Sequence, residues 1–301
     1  MSPHGLMFHH VHGGLHPQVQ GSLSQDDLRR IIKAHPRLIP AREFLAKHEV
    51  GALERDECVL TFDDGLRCQY DLAKPVVEEF GLTAFWFVPT APLIGVVSRL
   101  EVYRWLRTVA FGSVEMFYRA WDYNLTRHEG HASTCHAPAD YLADHAYLSR
   151  EDRDFRYWRD QMATPQAYER VMDTMLEHRP PRDGIPRCDT STLSLTRGHV
   201  LQLHHDGHVV GTHSHAHPTT LAKLTKEQQE IEYATSTYIL AEILGERPRA
   251  MSHPCNQYTS HGLRYLKGLG YTVGFRAIPD PDGIAEGLPL LVPRVNSADL
   301  R

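Results

Sequence analysis

Short apolar runs alternate along this chain with segments whose apolar positions repeat at helical spacing. "LMFHH" (6–10) reads as a short strand, and Ser24 then caps a helix running to about residue 34, with Asp27 as its capping-box partner. "CVLTF" (58–62) is a continuous apolar strand. It is followed by a helix over 71–80 that stops at Gly81, and by the strand "TAFWFV" (83–88). Thr196 opens a helix ending near Gly207, and "VVGT" (209–212) follows as a strand. Thr225, with Gln228 three positions on, caps a long helix to about Leu244. "RAMSHP" (249–254), a helix over 260–269, "YTVGF" (271–275) and "PLLV" (289–292) complete the series. Strands alternating with helices predict parallel β/α units. Uniformly apolar strands predict a sheet buried on both faces, either a β/α barrel or a doubly wound sheet.

Residues 95–195 break this rhythm. They hold Trp105, Trp121 and Trp158 and many tyrosines, with helical spacing and no clear strand. We read residues 1–301 as one α/β domain carrying a helical insertion at about 95–195, packed on the core and placed to shape a substrate cleft. The insertion also offers a surface for self-association.

Composition narrows the function classes. With 301 residues and 42% hydrophobic content the chain can bury a large core. A net charge of −5 without a long basic run gives no nucleic-acid footprint. No run approaches the roughly 18 apolar residues of a membrane helix, and "MSPHGLMFHHVHGG" lacks the features of a leader peptide, so a cytoplasmic location is expected. Cys58, Cys68, Cys135, Cys188 and Cys255 form no C-x-x-C pair, which disfavours a disulfide framework and a cysteine zinc site.

Histidine is the outlier, at 21 residues. "GTHSHAHPTT" (211–220) places His213, His215 and His217 directly after an apolar run. On one helical turn the i, i+4 pair His213 and His217 would face the same way, with His215 apart. "VLTFDDGL" sets Asp63 and Asp64 at the end of a buried strand, where active sites of parallel α/β folds sit. Asp-Gly is also ordinary turn chemistry. Two adjacent buried carboxylates, however, need a cation or a shared proton. Two histidines and Asp64 would make a ligand set suited to a catalytic divalent metal with room for water.

"TFDDG" followed by "H-S-x-x-H" (His213, Ser214, His217) resembles the first two motifs of the polysaccharide deacetylases, the NodB-like domain of carbohydrate esterase family four. "MSHPCNQY" (251–258) resembles a third motif. The resemblance spans residues 6–90 and 196–296. It implies a distorted β/α barrel with fewer than eight strands, and a metal held by Asp64, His213 and His217, zinc first, with cobalt, nickel or manganese as alternatives. It implies Asp63 as the general base, since a bound divalent ion brings the pKa of water to about 7. It implies His253 and Pro254 at the substrate, and a backbone N–H near that proline helping to hold the oxyanion. The substrate would be an N-acetylated sugar or sugar precursor, losing acetate.

Two family roles lack their usual residue. Motif three has no arginine to orient the base, and Arg294 in "VPRVN" is the substitute. No histidine follows His261, so His9 becomes the candidate general acid, with His10 and His253 behind it. Three rivals share these features: an amidase for a small cyclic amide or ureide on the same fold, an iron oxygenase with two histidines and one carboxylate, and a sugar-binding module that has lost activity.

Overall fold

A computed structural model describes residues 2–129, 136–143, 148–179, 188–277 and 288–300. Among them the chain separates into two compact units, one of residues 1–18, 22–98 and 190–301, the other of 19–21 and 99–189.

The first unit is built on seven parallel strands: β1 (His4–Phe8), β2 (Cys58–Phe62), β3 (Phe85–Val88), β4 (Val209–Thr212), β5 (Ala250–Ser252), β6 (Val273–Phe275) and β7 (Arg294–Asn296). Their order is β6-β5-β4-β3-β2-β1-β7. The two ends of this sheet meet. Val292 N–H donates to Gly274 O at 2.8 Å and Arg276 N–H to Val292 O at 3.0 Å, so the segment entering β7 also pairs with β6 and closes the barrel. The distorted barrel expected from the sequence is the observed architecture.

Strand residues divide by parity. Leu6, Phe8, Leu60, Phe62, Trp86, Val88 and Val210 pack on α1 (Gln25–Ala34), α3 (Lys74–Glu79), α8 (Arg197–His205) and α9 (Lys226–Leu244). The alternate set, including Val59, Phe85, Phe87, Val273 and Phe275, clusters with Phe44 of α2 (Ala41–Glu49), whose ring lies 6.1 Å from Phe85 and 5.9 Å from Phe275. Burial on both faces is why these strands read as unbroken apolar runs. The final helix of this unit is α10 (Ser260–Gly268).

Two local expectations need correction, and one helix went unannounced. The helix expected over 71–80 is a wide π-turn, Gln69–Ala73, leading into α3, because Pro75 has no N–H to donate back to residue 71. "PLLV" contributes only a single bridge at Val292; the strand proper is Arg294–Asn296, since Pro289 and Pro293 cannot donate to a ladder. Helix α2 lacks a side-chain cap, and its sequence gives little to announce it.

The second unit contains α4 (Arg99–Trp105), α5 (Val114–Glu129), α6 (Arg150–Tyr157) and α7 (Pro165–Glu177), with no strand among the described residues. Its core is aromatic: Phe155 meets Phe117, Tyr118 and Trp121 edge to face at 5.7, 6.0 and 5.3 Å. Asp152 is buried within it. Its carboxylate accepts from Ser149 N–H (3.1 Å), Gln20 (2.7 Å), Arg107 (3.4 Å) and, in a short bond, Tyr118.

Candidate active site

The carboxyl ends of the barrel strands gather the titratable residues singled out in the sequence. At the end of β2 the chain keeps one more ladder bond, Asp63 N–H to Phe8 O at 3.0 Å, and then turns sharply. Asp64 adopts φ 73° and Gly65 φ 58°; a Cβ at position 65 would lie 2.9 Å from Val88 Cγ1, so only glycine fits that turn. Gln69, fully buried, donates to Asp63 O (2.6 Å) and His9 O (2.9 Å), stitching the turn to the chain leaving β1.

Asp63 is held by Arg294. Nη1 donates to Oδ1 at 2.8 Å and Nη2 to Oδ2 at 2.7 Å, a bidentate pair between fully buried side chains. The guanidinium reaches Asp63 from β7 across Gly5, where a Cβ would come within 2.9 Å of Arg294 Cγ. Burial works against ionisation of Asp63, but Arg294 and then His213 outweigh it and hold the carboxyl below the usual carboxylate range. Ser252, at the end of β5, donates a further bond to Oδ1 at 3.1 Å.

The three candidate ligands converge beside this pair. His213 Nε2 lies 3.4 Å and His217 Nε2 3.2 Å from Asp64 Oδ1, and the three ligand atoms fall within 4.8 Å of one another. A tetrahedral site with ligand distances of about 2.0–2.1 Å has edges of about 3.3–3.4 Å, so these two separations suit a divalent ion between carboxylate and imidazoles. Burial opposes the charge on Asp64, yet hydrogen bonding to His213 and His217 keeps its carboxyl well below the usual range.

His213 and His217 do not meet through a helical turn, as their spacing suggested. They sit on a loop in which Ser214 (φ 63°) and His217 (φ 54°) are both left-handed. That strained loop is fastened at several points. Ser214 Oγ accepts from His217 N–H (3.1 Å), Glu232 accepts from His215 and Ala216 N–H (2.9 and 2.8 Å), and Ala91 N–H reaches His215 O (2.9 Å). Backbone strain maintained by surrounding bonds is a feature of functional sites. His215 turns aside, its Nδ1 bonded to Thr90 Oγ1 at 2.9 Å.

His9 follows β1 near enough to both carboxylates that a proton on its ring would favour the ionised forms of Asp63 and Asp64. β1 ends at Phe8, so strand alternation does not govern His9 and His10. His10 uses its carbonyl to accept from Leu23 N–H at 3.0 Å. His253 is 1% exposed; its Nε2 bonds Leu290 O at 2.8 Å, and burial pushes its pKa down to about 4. It is therefore neutral at ordinary pH and unsuited to act as the acid. Pro254 opens a tight turn in which Cys255 (φ 49°) and Asn256 (φ 57°) are left-handed.

A family model described as polysaccharide deacetylase matches residues 189–274, the stretch holding the histidine loop and motif three. The chain is similar to the polysaccharide deacetylases in signature and in fold. Among solved structures, the Streptococcus pyogenes deacetylase PplD in complex with acetate is 14% identical, with 98% of this chain and 92% of that one covered at a TM-score of 0.56. IcaB from Ammonifex degensii is 14% identical over 98% and 91% at 0.57. The deacetylase domain of BpsB from Bordetella bronchiseptica is 11% identical over 97% and 94% at 0.53. No curated protein sequence matches. Identities this low speak for the deacetylase fold alone.

Sequence reading left three supporting residues without a part. Ser252 lay inside a quoted motif, whereas Glu232 acts on a loop 17 residues away and Gln69 joins its own turn to His9, 60 residues away.

Proposed function

We propose that this protein is a metal-dependent hydrolase that removes the acetyl group from an N-acetylated sugar or sugar precursor. The observation that carries the reading is the convergence of Asp64, His213 and His217 beside an Asp63 locked by Arg294. The family signature over 189–274, and the likeness to a deacetylase solved with acetate, support the same chemistry.

Asp64, His213 and His217 would hold one divalent ion, most naturally zinc, through two neutral nitrogens and one carboxylate. Such an ion supplies activation of water and polarisation of the acetamide carbonyl. Asp63, ionised beside Arg294, takes up the proton of the attacking water. Arg294 holds both carboxylate oxygens in place, so Asp63 keeps one orientation while that proton moves. His9 is the proposed donor to the departing amine, because amide cleavage expels a poor leaving group that must be protonated as the C–N bond breaks. His253 and Pro254 line the substrate side as a neutral imidazole and a fixed turn.

Metal-loaded protein incubated with a panel of N-acetylated sugars should release acetate, and chelation should stop the release. Full metal loading with no acetate from any member of the panel would sink the deacetylase reading.

A further inference from the structure

Ser252 is fully buried at the end of β5, and its hydroxyl touches both halves of the site. Ser252 Oγ lies 3.1 Å from Asp63 Oδ1 and 2.6 Å from His213 Nδ1. Donor counting fixes the direction of this chain. The Asp63 carboxylate, already accepting two bonds from Arg294, can only accept, so the single hydroxyl proton of Ser252 goes to it. The hydroxyl oxygen must then accept from His213, which keeps a proton on that imidazole's Nδ1, so that the proton Nε2 shares with Asp64 Oδ1 at 3.4 Å is the one given up when a metal binds. Ser252 thus selects the one tautomer of His213 that is able to ligate through Nε2.

We propose that Ser252 is a positioning residue that couples the base to a metal ligand: through one hydroxyl it sets the tautomer of His213 and steadies the oxygen of Asp63. The proposal rests on the metal-site reading of Asp64, His213 and His217. It predicts a graded loss, because His213 Nδ1 also lies 3.1 Å from the backbone carbonyl of Ser252, an acceptor that survives removal of the hydroxyl.

The test compares wild-type, Ser252→Ala, Asp63→Asn and Asp63→Asn/Ser252→Ala proteins. Zinc affinity is measured by competition with a chromophoric chelator, folding by thermal melting, and kcat and KM at saturating zinc. Ser252→Ala should melt within a few degrees of wild type and bind zinc about 10- to 100-fold more weakly, the usual scale for a group that orients a ligand. Its kcat should fall at full zinc occupancy while KM changes little. In the Asp63→Asn background, Ser252→Ala should lower the residual kcat by a smaller factor than it does in the wild-type background, and should still weaken zinc binding. Wild-type affinity and kcat in Ser252→Ala overturn the proposal, as do multiplicative losses of kcat in the double variant. Wild-type protein that takes up no divalent ion overturns the metal-site reading itself, and with it this proposal.

Discussion

Two buried aspartates, one in each unit, share a depressed pKa and differ in their partners. Asp152 in the helical unit accepts from a backbone amide, a tyrosine, a glutamine and Arg107, and its Ser149 partner places it in the capping box of α6. Burial raises its pKa and Tyr118, Gln20 and Arg107 more than offset that, so it is a settled anion. Asp64 in the barrel is equally buried, but it faces two imidazole nitrogens and occupies a left-handed backbone position. Burial and a depressed pKa are thus common to both. What separates them is the nature of the partners: hydrogen-bond donors that lock Asp152, metal-competent nitrogens and backbone strain around Asp64.

The largest effects should come from breaking the barrel cluster. His213→Ala and His217→Ala should each abolish metal uptake, measured by elemental analysis, and reduce acetate release to background. His215→Ala should keep the metal, since that ring bonds Thr90 instead. Equal metal loss from all three would mean that the wrong pair has been assigned.

Asp63→Asn separates base from ligand. It should keep the metal and the fold while lowering kcat by about a hundredfold or more, the scale of a general base. Near wild-type turnover would remove Asp63 from the mechanism. His9→Ala should come next in size. It should slow amide hydrolysis by at least about tenfold beyond its effect on a matched acetate ester, with metal content unchanged, because an alkoxide leaves with less need of protonation. Parallel losses on both substrates would rule His9 out as the acid.

Asp152→Ala sharpens the comparison from the other side. Removing one partner of a buried pair should cost about 3–5 kcal/mol in denaturant unfolding of the helical unit, while the metal content of the barrel stays that of wild type. Metal loss in this variant would contradict the division of labour between the two aspartates.

The smallest effect concerns pH. Burial pushes His208, like His253, down to about 4, so each stays neutral in the fold while the unfolded chain protonates near the ordinary value of 6.5. Their contribution is complete above that value and is lost as pH falls from 6.5 toward 4. His208→Asn can still accept from Ala84 N–H, the bond His208 Nδ1 makes at 3.0 Å, but cannot titrate. Its unfolding free energy should depend less steeply on pH in this window, by at most about 1.4 kcal/mol per pH unit. An unchanged slope would show that His208 does not titrate on unfolding.

What the sequence determined by itself is local. The capping boxes at Ser24 and Thr225, the strands at 58–62 and 209–212 and the left-handed stops at Gly81 and Gly270 all appear where the pattern places them, because each depends on residues within a few positions. The carboxylate pair at the end of β2 and the histidine cluster after β4 were legible for the same reason: parallel strands deliver the residues at their carboxyl ends to one rim. Tertiary structure decided the rest. The resemblance already points to Arg294 as the partner of Asp63, but the bidentate geometry that joins them across 231 residues, and the meeting of Ser252 with Asp63 across 189, are tertiary. Such contacts depend on strand order, register and the glycine at position 5 that lets the arginine pass. The fold likewise overrode the spacing of His213 and His217, holding a strained loop in place of a helical turn through Glu232, Ser214 and Ala91. The Ser214 bond is local, but those from Glu232 and Ala91 come from segments that become neighbours only in the folded barrel.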